Sequence, residues 1–353
     1  QKSIYTSTFG NINTYTIYVA ALLAISMILF TQEKNQKRMF WYYGNMILTS
    51  FALIMGSSDN AYLSLAAIFG LAPLWLFQTK TGLRRYVISL ATFFTVILCI
   101  NGINKAYASS VLGIDSAFKL IAGTKFLPVL VVLLWVIAVV LIFMNRKPQA
   151  LMNRTTDDSM NKIAVYIWIG VIAVVCLAVL FVLYDANLGG HADKYGALSS
   201  YVVFNDEWGT QRGYVWKRAM EIYTKKLNLL QKIFGYGPDT FALIMQYYYP
   251  GEMQNGRMVI FDSAHNEYLH YLVTTGFVGM ASYLVFMVSS IVAMAKKIKE
   301  QPIVAAVMLA VTAYAIQAVV NINLPIAMPI ILQLLAMGVG RKKTADKAEE
   351  KAE

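Results

Sequence analysis

The chain has 353 residues, of which 58% are hydrophobic and 14% charged, and its formal net charge is +11. A soluble domain carries about 25% charged residues, so a single water-facing domain around one core is excluded and lipid is the expected solvent for much of the chain. The positive charge does not indicate nucleic acid, because the basic residues lie in short connections between apolar runs and form no contiguous surface for phosphates.

A hydrocarbon core about 30 Å thick is crossed by about 20 apolar residues in helical form. That rule predicts spans at 12–31, 39–56, 61–77, 86–102, 126–145, 163–184, 276–295, 302–321 and 324–340. The third and last are short and fit a tilted or partly re-entrant course. The expected fold is an all-α integral membrane protein, a polytopic helical bundle of about nine spans with one large helical extracytoplasmic loop. Four regions follow: a bundle of six spans at 1–184, the loop at 185–264, three C-terminal spans within 265–340, and a charged tail at 341–353.

Orientation follows from the basic residues. Lys34, Lys37 and Arg38; Lys80, Arg84 and Arg85; Arg146, Lys147, Arg154 and Lys162; Lys296, Lys297 and Lys299; and the tail from Arg341 fall on one side of a nine-span chain. The opposite turns at Ser57–Asn60 and Asn321–Asn323 have no basic residue, while the longer 103–125 connection has three lysines. The C-terminus is therefore expected in the cytoplasm, and Gln1 and the long loop outside. No signal peptide precedes the first span, so Gln1 is read as a cut within a longer protein whose earlier spans carry it across. Cys99 and Cys176 lie inside apolar runs, and the three histidines have no supporting cluster, so neither a disulfide nor a metal is expected. No cofactor is expected either.

Residues 185–264 are too long for an idle connection. From Arg212 to Ile233, Trp216, Ala219, Met220, Tyr223, Leu227 and Leu230 recur at helical spacing, which predicts an amphipathic helix with Arg212 on the apolar face. Two readings of Arg212 stay open: a snorkelling or acid-paired residue at the helix start, or a cation awaiting an anion. Arg218 falls near the polar face and reads as solvated. In Phe234-Gly-Tyr-Gly-Pro-Asp-Thr-Phe241, Gly235 can end one helix and Pro238 open the next. That segment is either a plain turn or a set of N–H groups suited to phosphate. In Asp262-Ser-Ala-His-Asn-Glu-Tyr-Leu269, Ser263 is the expected N-cap, with His265 in the first helical turn and held neutral by the helix dipole. His265 is then either a structural cap residue or a base. His270 points elsewhere, and His191 has no helical context.

Taken in order, Arg212-Gly-Tyr-Val-Trp216, Gly235-Tyr-Gly-Pro238 with Phe241, Ala264-His-Asn-Glu-Tyr-Leu269 and Gly276-Phe-Val-Gly279 resemble the core of the bacterial O-antigen ligase and O-antigen polymerase superfamily. Ser7-Thr-Phe-Gly-Asn-Ile-Asn-Thr14 is similar to the Gly-Asn-x-Asn segment that opens a family span. The resemblance covers most of the chain and implies a GT-C-like bundle in the bacterial inner, or plasma, membrane. It implies metal-independent transfer of a glycan from a polyprenyl diphosphate donor to the hydroxyl of a glycan or lipid-linked acceptor. Arg212 then matches the arginine that holds the diphosphate, and His265 the histidine that activates the acceptor hydroxyl. Arg218, Asn266, Gly235, Gly237, Asn11, Asn13 and Asp59 are the further substrate-binding candidates. One departure stands out: Ser57-Ser-Asp-Asn60 occupies the place of an expected Ser-Arg pair. Arg218, Lys105 or Arg257 is then the candidate second cation, and Asp59 a candidate for a sugar hydroxyl. Two other functions compete. A transporter or flippase is disfavoured by the scarcity of ionisable residues within the spans. A catalytically silent scaffold of the same fold is raised by the departure at Ser57–Asn60.

Overall fold

The computed structural model describes residues 7–111, 116–144, 162–250, 261–299, 301–322 and 324–341. Arg146, Lys147, Arg154, Asn323, the 342–353 tail and Arg257 lie outside the described residues. The regular structure is helical: α1 Ile12–Gln32, α2 Gln36–Met55, α3 Ala61–Leu71, α4 Pro73–Leu76, α5 Lys80–Ala106, α6 Ser116–Gly123, α7 Phe126–Met144 and α8 Ile163–Asn187. The loop that follows holds α9 Ser199–Val202, α10 Trp208–Glu221, α11 Leu229–Phe234 and α12 Phe241–Tyr248. The chain then forms α13 Glu267–Thr274, α14 Gly276–Ala295, α15 Pro302–Gln317 and α16 Met328–Gly340.

Among the described residues, six helices are long and apolar enough to cross a membrane: Ile12–Gln32, Lys80–Ala106, Phe126–Met144, Ile163–Asn187, Gly276–Ala295 and Pro302–Val320. The other three expected spans are also helical but differ in kind. Residues 39–56 fall in α2, which does not reach the same apolar standard, and 324–340 gives only the short α16. The 61–77 run breaks at Pro73, which has no N–H to donate to the carbonyl of Phe69 four residues back. The Tyr86 hydroxyl donates to that carbonyl instead, at 2.7 Å, and the Trp168 indole donates to the neighbouring Gly70 carbonyl at 2.7 Å.

Contacts divide the chain into two units, Gln1–Ile169 with Ser290–Gln317 and Leu324–Glu353, and Gly170–Ser289 with Ala318–Asn323. In the first, α1 is the central helix. It packs against α2 and α15, and Ala20, Ala21 and Ala24 share a buried cluster with Ala305, Ala306, Ala310 and Ala313. Small side chains let helix backbones approach closely where lipid supplies no hydrophobic drive between them. Buried hydroxyls in α1 bond back to their own helix, as Thr16 does to the Ile12 carbonyl and Thr31 to that of Ile28. Arg85 is more than a loop charge. Its Nη1 donates to the carbonyls of Phe30, Thr31 and Glu33 at the end of α1, where a cation meets the negative end of the helix dipole. Large apolar side chains on α7 and α8, such as Phe126, Val132, Val174 and Phe181, face outward, the pattern of a lipid-contacting surface.

The second unit has its own core of Val215, Ala219, Ile222, Phe241, Ile244, Met245, Ala264 and Val273. The long amphipathic helix expected from Arg212 to Ile233 is instead two helices. A π turn at Ile222–Lys226 ends α10, and Asn228 opens α11 with a capping box to Gln231. The buried stripe is Val215, Ala219 and Ile222, while Met220 and Leu230 are exposed. Pro238 does not open a helix: α12 begins at Phe241 with Thr240 at its N-cap.

Replacing Tyr86 with Phe leaves the Phe69 carbonyl without its side-chain donor and should lower stability by about 1–3 kcal/mol. Pro73→Ala restores a backbone donor, so Tyr86→Phe should cost less in that background. Thermal unfolding of the four proteins of this cycle in detergent tests the pairing, and strictly additive effects would contradict it.

Candidate functional site

Within the second unit, α10 carries Arg212 and Trp216 one helical turn apart. The chain enters α10 through Gly209, Thr210 and Gln211, three successive residues with positive φ of 59°, 60° and 73°. The right-handed helix starts only at Arg212, whose Nη1 donates to the Gly209 carbonyl at 3.0 Å. Gly213 lies so near the Asn205 carbonyl that a Cβ there would overlap it. The Trp216 indole then donates to the Ala264 carbonyl at 2.9 Å, across 48 positions of sequence. That bond fixes the peptide just before His265 against the helix that bears Arg212.

His265 lies outside the helix, contrary to expectation. Asn266 is the N-cap of α13, accepting from the Leu269 N–H at 3.0 Å, and the Ser263 hydroxyl accepts from the His265 N–H. His265 has φ +47°, a left-handed conformation uncommon for a side chain of this size. It therefore shares no helical face with Leu269 and Leu272. Its Nδ1 is buried and has no hydrogen-bond partner among the described residues. Burial holds its pKa below the ordinary 6.5, the Arg212 guanidinium lowers it further, and Asp262 partly opposes both. The imidazole is thus neutral near pH 7 and close enough to Arg212 to feel its charge.

Gly235 and Gly237 have a packing task. The N–H groups of Tyr236 and Gly237 donate to the Thr274 carbonyl at 2.9 and 2.8 Å, and that of Gly235 donates to Gln231. These donors are engaged by protein and not open to a phosphate. A Cβ on Gly235 would overlap the Thr274 carbonyl, and one on Gly276 the Ile233 carbonyl. The two glycine motifs thus meet backbone to backbone and hold the far end of α13.

Arg218 is half-buried and already paired within the protein. Its Nη1 pairs with Glu221 at 3.0 Å, and its guanidinium lies over the rings of Tyr249 and Tyr214, at 4.7 and 5.4 Å from their centroids. The neighbouring Tyr249 hydroxyl, and then the hydrogen bond from Arg218, hold the Glu221 carboxyl below its usual range. His270 is stacked on Phe241, and His191 bonds Asp185 through Nδ1.

Asn11, Asn13 and Asp59 belong to the first unit. Asn11 caps α1, accepting from the N–H groups of Asn13 and Thr14, and Asn13 accepts from the Ser58 hydroxyl at 3.1 Å. Both amide oxygens thus shape the start of α1, while Asp59 is exposed in the adjoining turn. Lys105 is exposed in the last turn of α5.

Two contributors escape a reading of motifs alone. Asp262 acts electrostatically on both His265 and His270. Phe204, Trp208 and Trp216 form an aromatic cluster with centroids 5.1–6.1 Å apart. The spacing of Phe204 and Trp208, four residues apart, is its trace in the sequence. Beside the cluster, Trp216, Met220, Leu269, Leu272 and Met280 line an apolar groove of about 470 Å³, with Asn266 and Lys217 at its edge.

Trp216→Phe keeps an aromatic ring but removes the donor to the fully buried Ala264 carbonyl. It should cost about 1–3 kcal/mol and speed amide hydrogen exchange across 262–266. Unchanged exchange there would remove the bond from its fixing role.

No curated protein matches the chain. Residues 116–284, just under half its length, match the family model described as O-antigen ligase, and this stretch contains Arg212, Trp216, Gly235, His265 and Gly276. Over that stretch the chain is similar to the O-antigen ligase family of polysaccharide biosynthesis, and six helices among the described residues are long and apolar enough to cross a membrane.

Proposed function

We propose that the chain transfers a glycan from a polyprenyl diphosphate carrier to an acceptor hydroxyl, without a metal, at the outer face of the bacterial cell membrane. The reading takes the bundle as nine spans in a GT-C-like arrangement, with the 185–264 loop outside and the C-terminus in the cytoplasm. One observation carries it: the Trp216–Ala264 hydrogen bond holds a neutral imidazole within the field of an arginine.

The chemistry follows from that pair. The acceptor oxygen attacks the anomeric carbon of the donor sugar, forming a new C–O bond as the bond to the diphosphate oxygen breaks. The hydroxyl proton passes to the neutral imidazole of His265, a step that general-base catalysis favours by about 10²–10⁴-fold. Negative charge grows on the departing diphosphate, and the Arg212 guanidinium stabilises it in a partly dry site where each charge counts for more than in water. The neighbouring apolar groove supports a lipid carrier, since its lining offers few partners to a hydroxyl and much contact to an isoprenoid chain. With Arg218 neutralised by Glu221, Arg212 is the main cation of the described site in this reading.

Arg212→Ala and His265→Ala should each lower transfer by at least about 10²-fold, with the protein still folded and inserted. Normal surface glycan from cells carrying either variant would sink the proposal. Deleting the gene separates the two family activities: single unpolymerised repeats on the carrier would mark a polymerase, full-length unattached chains a ligase.

The pH dependence has a definite sign. A histidine whose folded pKa is depressed stays neutral as pH falls through 6.5, so the acid limb of transfer should lie below that value. The unfolded chain takes up this proton first, so the same group reduces stability as pH drops through 6.5. In Arg212→Ala the ring loses an opposing cation and should titrate at higher pH. Histidine-selective NMR of the two proteins measures this, and an unchanged or lower value would mean the guanidinium does not act on the ring.

A further inference from the structure

The second unit holds another cavity, of about 570 Å³, open to solvent and separate in its lining from the apolar groove. Its wall joins one indole face, Trp208, to the polar groups of Asp193, Ser199, Ser200, Asn205 and Glu207. Among the described residues no lysine or arginine lines it. The nearby Lys194 is tied elsewhere, its ammonium 3.3 Å from Asp185, which also bonds His191 Nδ1 at 2.7 Å. The wall is also braced: Asn187 bonds the Val202 carbonyl at 2.7 Å and accepts from the Phe204 N–H. Trp208 donates its indole N–H to the Tyr201 carbonyl, which sets the plane of its ring. It packs on Trp216 at 5.1 Å, the residue bonded to the peptide before His265.

We infer that this cavity is a saccharide subsite that takes a neutral or amino sugar of the glycan being joined and rejects an anionic one. A pyranose presents C–H faces that pack on an indole, while its hydroxyls donate to carboxylate and amide oxygens. Two carboxylates without a balancing cation repel a uronic acid by like charge and welcome a hydroxyl or an ammonium group. The volume suits a ligand of one to a few rings, within the range of about 300–1,000 Å³ common for small-molecule sites. The edge-to-face contact of Trp208 with Trp216 makes this cavity a neighbour of the His265 segment, so a sugar held here belongs to a chain that reaches the reacting bond. The inference names a substrate class for the transfer reading above and rests on it, but its test requires no turnover.

The full chain in lipid nanodiscs would be applied to immobilised oligosaccharides of N-acetylglucosamine, galactose, rhamnose and glucosamine, and of glucuronic and galacturonic acid. Retention is expected on at least one neutral or amino series, with about tenfold less on the uronic acids. Ser199→Trp, which fills the cavity, and Trp208→Ala should each weaken retention by about tenfold. Glu207→Gln combined with Asp193→Asn should relax the exclusion of uronic acids, and His265→Ala should bind as the wild type does. Melting curves identify any variant that fails to fold, and the rim pair Glu207 and Asp193 then decides. No retention on any series, equal retention of uronic acids, or indifference to folded Ser199→Trp would overturn the subsite. Should His265→Ala still transfer glycan, the transfer reading falls and the binding result stands. Should binding fail while His265→Ala abolishes transfer, the subsite alone falls.

Discussion

A single hydrogen bond, from the Trp216 indole to the Ala264 carbonyl, organises the second unit. Ala264 is fully buried, so its carbonyl needs a partner, and one from a side chain 48 positions away joins two segments that sequence alone keeps apart. The donor can reach because Gly213 lets the start of α10 lie against Asn205 without a Cβ between them. At the other end of α13, Gly235 and Gly276 allow the Thr274 carbonyl to take two backbone donors. The segment between these clamps includes His265, which sits in a backbone conformation it would not choose by itself. Backbone contacts therefore set the position of the ring, and the side chains around it set its charge state.

Much of this could be read in advance, for physical reasons that differ along the chain. Apolar runs long enough to cross a bilayer have one stable solution, a helix, which is why α1, α5, α7, α8, α14 and α15 fall close to their expected bounds. The break at Pro73 was visible as a residue, but its remedy was not, because Tyr86 comes from another helix. Periodicity overreached at Arg212 to Ile233, where Leu227 and Leu230 kept the rhythm while the chain reset through a π turn. Met220 and Leu230 keep the helical spacing of a core stripe but are exposed. Ser263 and Asn266 are both good caps, but it is Asn266 that accepts from the Leu269 N–H of the helix, while Ser263 accepts from His265 ahead of it. Arg218 looked solvated because its partners, Tyr249 and Tyr214, lie partly on another element.

The charge arrangement is lean. Arg218 and Glu221 neutralise each other, Lys217 pairs with Asp206, and Lys194 and His191 converge on Asp185. Arg212 and Asp262 act on the imidazole in opposite senses. Burial, the largest influence on the ring, is thus left to decide its state, and a ring governed by burial keeps its neutrality over a wide range of salt.

The start of α10 has a mechanical consequence. Thr210 and Gln211 wind in the opposite sense to the helix they precede, a state that costs each of them roughly 1–2 kcal/mol. Energy stored so close to one side chain works like a wound spring with its catch at the Gly209 carbonyl, where the Arg212 guanidinium hooks on. An anion that draws the guanidinium off the catch displaces a neutral acceptor, while relaxation of two mirror-image residues assists the release.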